Sequence, residues 1–101
     1  MTEAQQIELI NQLFEIEKKA LQFSYEKLER NIERMKHIFS ESGYSYKIPT
    51  GEKYDETRLD CAATILSNSN DLTIFDTVKP IIFKTIGAET QIIQPARVIV
   101  K

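Results

Sequence analysis

Residues 3 to 42 contain neither glycine nor proline. Such a run leaves few outcomes besides helix. Glu, Gln, Leu, Lys, Ile and Arg dominate it, and these residues favour helix. Thr2 is suited to cap the start, with Glu3 and Glu8 near the favourable end of the dipole. Ser42-Gly43 is a suitable stop, because glycine tolerates the left-handed C-cap conformation. The pattern predicts one continuous helix, about 60 Å long at 1.5 Å per residue.

The apolar spacing suggests what such a helix would do. Ile7, Ile10, Phe14 and Leu21 form one a/d-type run, with Glu17 in the missing step. Tyr25, Leu28, Ile32, Met35 and Phe39 form a second, at alternating spacings of three and four. The four-residue step from Leu21 to Tyr25 is a stutter, which unwinds a left-handed supercoil. Leu9, Leu13, Ile16, Ala20 and Phe23 form a second stripe beside the first, so residues 7–23 carry the wider apolar face. A wide face suits a bundle and a narrow seam suits a pair. The expected seam of a coiled-coil homodimer is Ile10, Phe14, Leu21, Tyr25, Leu28, Ile32 and Met35. The alternative is that the helix packs only against the rest of its own chain. About 60 remaining residues would then have to cover it, and a core below roughly 70–80 residues is marginal alone.

After Gly43 the character changes. Tyr44, Tyr46 and Ile48 alternate with polar residues, as in a half-buried strand. Pro49-Thr50-Gly51 signals a turn. Asp55 to Leu66 is expected to hold a short helix or helical turn, with Asp55 as its cap. Ser67 to Asp71 reads as a polar loop. Short strands are expected at Leu72–Phe75, Val78–Ile86, Gln91–Ile93 and Ala96–Val100. Pro80 should mark an edge or bulge, and Gly87 to Thr90 a hairpin turn. The predicted class is α+β: a dimerising helix over 1–42, then a small all-β domain over 43–101.

Charge and chemistry narrow the function. A net charge of -2 and a pI near 5.4 argue against a generic nucleic-acid binder or a basic membrane-surface helix. No stretch approaches the ~20 apolar residues of a membrane span. The N-terminus lacks the basic start and apolar run of a signal peptide. Cys61 is the only cysteine, so a reducing, cytoplasmic setting is the simplest expectation. Cys61 is expected as a small buried apolar residue rather than a reactive thiol. His37 is the only histidine and has no cysteine at metal-ligand spacing. Asp55, Glu56 and Asp60 form an acidic cluster that could do acid–base work, though capping is the commoner role. There is no phosphate-cradling glycine loop. Binding is therefore expected rather than turnover, with no cofactor and no metal.

Residues 51 to 101 resemble the β domain of the GrpE family. That family typically carries Gly-x-x-Phe-Asp-Pro-x-x-His-Glu-Ala. Here the chain reads Gly51-Glu52-Lys53-Tyr54-Asp55-Glu56-Thr57-Arg58-Leu59-Asp60-Cys61. Glycine and Asp55 match, while Tyr54, Asp60 and Cys61 replace Phe, Glu and Ala. The family's Pro and His give way to Glu56 and Leu59. Thr77-Val78 then precedes Ile81-Ile82-Phe83, Thr85-Ile86 stands for a Gly-Tyr turn, and the chain closes Gln94-Pro95-Ala96-Arg97-Val98-Ile99-Val100-Lys101. The closing run is similar to the family's Arg-Pro-Ala-x-Val-x-Val and is the most specific part of the match. The helix carries none of the family's helical motifs.

The resemblance implies a homodimeric co-chaperone of the stress response. Its β domain would bind the nucleotide-binding domain of a DnaK-type heat-shock chaperone and promote ADP release, as a nucleotide exchange factor. The driving force would be tighter binding to the open cleft than to the closed one. By register the docking residues would be Ile82, Gln91, Gln94 and Val100. Gln91 and Gln94 stand where family members usually carry Arg, which removes charge-assisted bonds; nearby Arg97 is the candidate replacement. Ile82 and Val100 have core packing as their alternative role. The competing function is a dimeric structural adaptor that reuses the fold without exchange activity.

Overall fold

The computed structural model describes residues 1–101. Helix α1 spans Glu3–Gln22 and starts at a capping box, in agreement with the expected Thr2 cap. The Gln5 amide donates to the Thr2 hydroxyl at 3.1 Å, and the Thr2 amide donates to Gln5 Oε1 at 2.9 Å. The helix does not continue to residue 42. It stops at Phe23, turns through a short 3-10 segment at Glu26–Leu28, and resumes as α2 over Glu29–Glu41.

The single 60 Å helix is thus replaced by a helical hairpin, and the longest dimension of the molecule is 42 Å. The break falls at the stutter. Ser24 takes φ 52°, its amide donates to the Leu21 carbonyl at 3.2 Å, and the Tyr25 amide donates to the Ala20 carbonyl at 2.8 Å. Those two bonds are a Schellman arrangement, with serine in the place glycine usually takes. A straight helix would carry Ile32 and Phe39 away from the rest of the chain. Folding back brings Ile32 to near-complete burial and packs Phe39 on the apolar cluster beneath α1.

Seven strands follow: β1 Tyr44–Lys47, β2 Lys53–Tyr54, β3 Cys61–Ile65, β4 Leu72–Lys79, β5 Ile81–Ile86, β6 Glu89–Gln94 and β7 Ala96–Val100. They form a three-stranded sheet, order β1-β5-β6, and a four-stranded sheet, order β2-β4-β7-β3. All pairs are antiparallel except β3 with β7. Pro80 separates β4 from β5, so the expected strand 78–86 is divided and the expected strand 72–75 is extended. Gly87-Ala88 makes the two-residue hairpin turn anticipated between β5 and β6, with Gly87 at φ 62°.

Of the short helix or helical turn expected over Asp55–Leu66, only a turn at Asp55 forms, closed by the Arg58 amide donating to Asp55 O at 3.2 Å. Asp55 to Asp60 is a turn, and Cys61–Ile65 is a strand. The reason is the partner strand. Cys61 and Ala63 alternate inward against β7, and the ladder runs on at both ends, from the Ala96 amide to Asp60 O and from the Leu66 amide to Val100 O, each at 2.8 Å. A helix here would leave that edge of β7 unpaired.

Side chains of adjacent residues in a strand point to opposite faces. In β5 this splits Ile81 from Ile82. Ile81 joins Cys61, Ile74, Ala96, Val98 and Val100 in the core of the β region. Ile82 joins Ile10 and Tyr44 in a second core under α1. The three-stranded sheet thus has one face under the helices and the other against the core of the four-stranded sheet, while α1 also reaches the end of β4, where Lys18 meets Asp76 and Thr77. Tyr46 donates to Glu17 at 2.9 Å, and Lys36 of α2 pairs with the same carboxylate, tying both helices to β1. The change from helix to strand falls at Gly43 as expected. Residues 1–42 do not pack apart from the strands, however, because they share a core with the three-stranded sheet.

Candidate protein-docking face

Two of the expected docking residues are buried. Ile82 and Val100 are both 0% exposed, one in each core. Their alternative role, core packing, is the one the structure gives them, and neither is available to a partner. Gln94 is occupied internally. Its amide and that of Asn11 exchange hydrogen bonds of 3.0 and 2.9 Å, and it also donates to Pro80 O at 3.1 Å. It therefore fastens α1 to β6. Gln91 is exposed, opposite Lys84 in register. Arg97 is exposed on β7.

The expected pairing seam is divided as well. Ile10, Phe14 and Ile32 are buried within the chain, and Met35 is half-buried. Leu21, Tyr25 and Leu28 stand exposed at the hairpin tip beside Phe23, with Leu21 72% and Phe23 74% accessible. A cleft of about 360 Å³ opens there, and Glu17, Glu26, Glu29 and Glu33 contribute to its lining. Four carboxylates in one cleft oppose an anionic small-molecule ligand.

The outer face of the four-stranded sheet gathers what the sequence had scattered. Val98 and Val100 point into the core, so Arg97 and Ile99 point outward. Arg97 pairs in register with Ala62 on one side and Lys79 on the other. Ile99 stands between Thr64 and Asp76. Further along, Thr73 and Lys101 exchange backbone bonds of 3.2 and 3.1 Å, and Lys53 is opposite Thr73. Lys101 Nζ lies 3.7 Å from the centre of the Phe75 ring. The one carboxylate in these rows, Asp76, is drawn to Lys18 of α1 at 3.1 Å. Lys18 also donates to Thr77 O at 2.8 Å, covering the free edge of β4.

Within the β region, charge pairing sets this face apart. In residues 43–101, Lys47, Arg58 and Lys84 are salt-bridged. Lys53, Lys79, Arg97 and Lys101 are not, and all four are exposed here. Sequence reading found only Arg97. The other three stood far apart along the chain, and their common face depends on strand register.

The groups considered for chemistry are held in structural roles. The Asp55 carboxylate accepts from the Thr57 amide and hydroxyl, which keeps its pKa below the usual range. Arg58 does the same for Asp60 through two bonds of 2.9 Å. His37 is exposed and pairs with Glu41 at 2.9 Å. No group of three or more His, Cys, Asp or Glu is placed to hold a metal. Burial, followed by the Asp60 charge, pushes the Cys61 thiol up to about 11. Alkylation of Cys61 by iodoacetamide at mildly alkaline pH is accordingly expected to be about 100-fold slower than for a free thiol. Denaturant should restore the ordinary rate. A fast reaction in the folded protein would contradict this burial.

No helix is long and apolar enough to cross a membrane. No family model, curated protein or solved structure matches this chain.

Proposed function

We propose that this chain is a GrpE-like co-chaperone, which binds the nucleotide-binding domain of a DnaK-type chaperone in the cytoplasm and promotes ADP release. The observation that carries the reading is Arg97. It is an exposed cation without a carboxylate partner, on the strand formed by the closing run that resembles the family. It would offer an acidic partner a charge that Gln91 and Gln94 lack, from β7 of the other sheet rather than from their positions on β6. Each charge-assisted bond it forms would be worth roughly 1.5–3 kcal/mol. The test is release of labelled ADP from a DnaK-type protein. The wild-type chain should accelerate it, and Arg97→Glu should cut the acceleration by about tenfold or more. No acceleration by the wild-type chain would remove the exchange reading.

The second reading is a structural adaptor that binds another protein without affecting nucleotide. It is favoured by the burial of Ile82 and Val100, which leaves less docking surface than the resemblance implies. Capture of a chaperone with unchanged ADP release would select it. In either reading we propose that copies pair through the exposed tip residues Leu21, Tyr25 and Leu28. Leu28→Asp is the sounder probe in sedimentation. Ile32→Asp would place a charge in the chain's own interior and unfold the monomer whether or not it pairs.

A further inference from the structure

We infer that the outer face of the four-stranded sheet binds a short acidic polypeptide segment, held between Lys79 and Arg97 at one end and Lys53 and Lys101 at the other. This inference goes beyond the chaperone reading and stands whether or not the partner is a chaperone.

The face has three properties that fit such a ligand. First, its four cations lack carboxylate partners in a chain whose net charge is -2. Elsewhere in the β region every lysine and arginine is neutralised. Second, the spacing matches an extended chain. From Arg97 to Lys101 is four residues along β7, about 13 Å at 3.3 Å per residue. Carboxylates at positions i and i+4 of an extended segment span the same distance. Third, the middle of the face is uncharged apart from Asp76, which Lys18 neutralises. Ile99, Thr64 and Ala62 lie there, with exposed Phe75 beside them, offering apolar contact to the residues between the two carboxylates.

The size of the patch selects the class of ligand. Asp55 and Glu56 follow β2, and Asp71 precedes β4. These carboxylates border the Lys53 end. A duplex nucleic acid or an anionic bilayer extends past the patch and would meet them. A short acidic segment ends before it does, so repulsion falls on the larger polyanions.

The probe is a fluorescein-labelled peptide of eight glutamates, followed by anisotropy at low salt, with the all-glutamine peptide as control. Saturable binding below about 1 mM is expected, weakened by added salt and absent for the glutamine peptide. The double variant Lys79→Glu/Arg97→Glu should weaken binding by about tenfold or more. Arg30→Glu/Arg34→Glu on α2 should change it by less than about twofold. All four side chains are exposed, and thermal melting checks that each variant folds. If the charge reversals unfold the chain, Lys79→Gln/Arg97→Gln takes their place, and amide shifts in the wild-type spectrum should map to β7 and β4. Three results would overturn the inference: no saturable binding, equal loss from the helical variant, or tighter binding to duplex DNA or phosphatidylserine vesicles that the sheet variant abolishes.

Discussion

Ile82→Ala is expected to destabilise the protein by about 2–5 kcal/mol, the cost of emptying a buried isoleucine site. Ile82 is fully enclosed between α1 and the three-stranded sheet, against Ile10 and Tyr44. Its cluster draws on two helices and two further strands, so its members cannot close over the vacancy without moving whole elements. For a chain of this length each kilocalorie lowers the melting temperature by about 4–8 °C. Urea unfolding with and without the substitution measures the loss directly. The same variant also separates two roles for this residue. A core residue changes stability and leaves partner binding by the folded fraction intact. Unchanged stability with lost binding would return Ile82 to the docking surface.

Gly43→Ala is the second substitution expected to have a large effect. Gly43 has φ 86° at the junction of α2 and β1. An L-residue forced into that region costs about 1–3 kcal/mol. A Cβ here would also lie 2.7 Å from the Thr85 carbonyl oxygen, which is backbone and cannot rotate away. The Gly43 carbonyl accepts the Thr85 amide at 2.8 Å, so relieving the overlap would strain that bond where β1 begins to pair with β5. Gly51 provides the internal comparison. Its φ is 92°, but an added Cβ meets nothing within 4 Å. Gly51→Ala should therefore carry the backbone cost alone, and Gly43→Ala that cost plus the overlap. Equal melting temperatures for the two variants would show that the β1–β5 junction yields easily.

Much of the fold was legible along the chain. Thr2 caps α1 because a threonine three residues before a glutamine can exchange bonds with it. Alternation marked β1, since a strand with one face inward must repeat every two residues. Gly87 marked the β5–β6 turn. The break at Ser24 was not legible as a break. No glycine or proline announces it, and a stutter reads equally well as a straightened coiled coil. Residues 55–66 misled for a related reason. Asp55 does form a local turn with Thr57, but the strand after it exists only because β7 offers an edge.

The docking face shows where sequence reading stops. Arg97 was visible because it lies in a run with a recognisable pattern. Lys53, Lys79 and Lys101 join it only through register, and alternation alone would misplace the neighbouring Asp76 and Thr77. In an unbroken β4 strand, Thr77 and Lys79 would share a face. Irregularities at Phe75 and Val78 reset the count, so that Thr77 turns inward beside Val98 while Lys79 stands opposite Arg97.

The sequence by itself determined the helical start, the passage to strands at Gly43, the solitary buried thiol and the absence of any long apolar span. Those are local properties: propensity, capping, alternation and composition. The tertiary structure decided that the helix folds back, that Ile82 and Val100 serve the core, and that four unpaired cations meet on one sheet face. Each of those outcomes depends on which distant segment offers a surface or a free edge, and a linear pattern does not specify that.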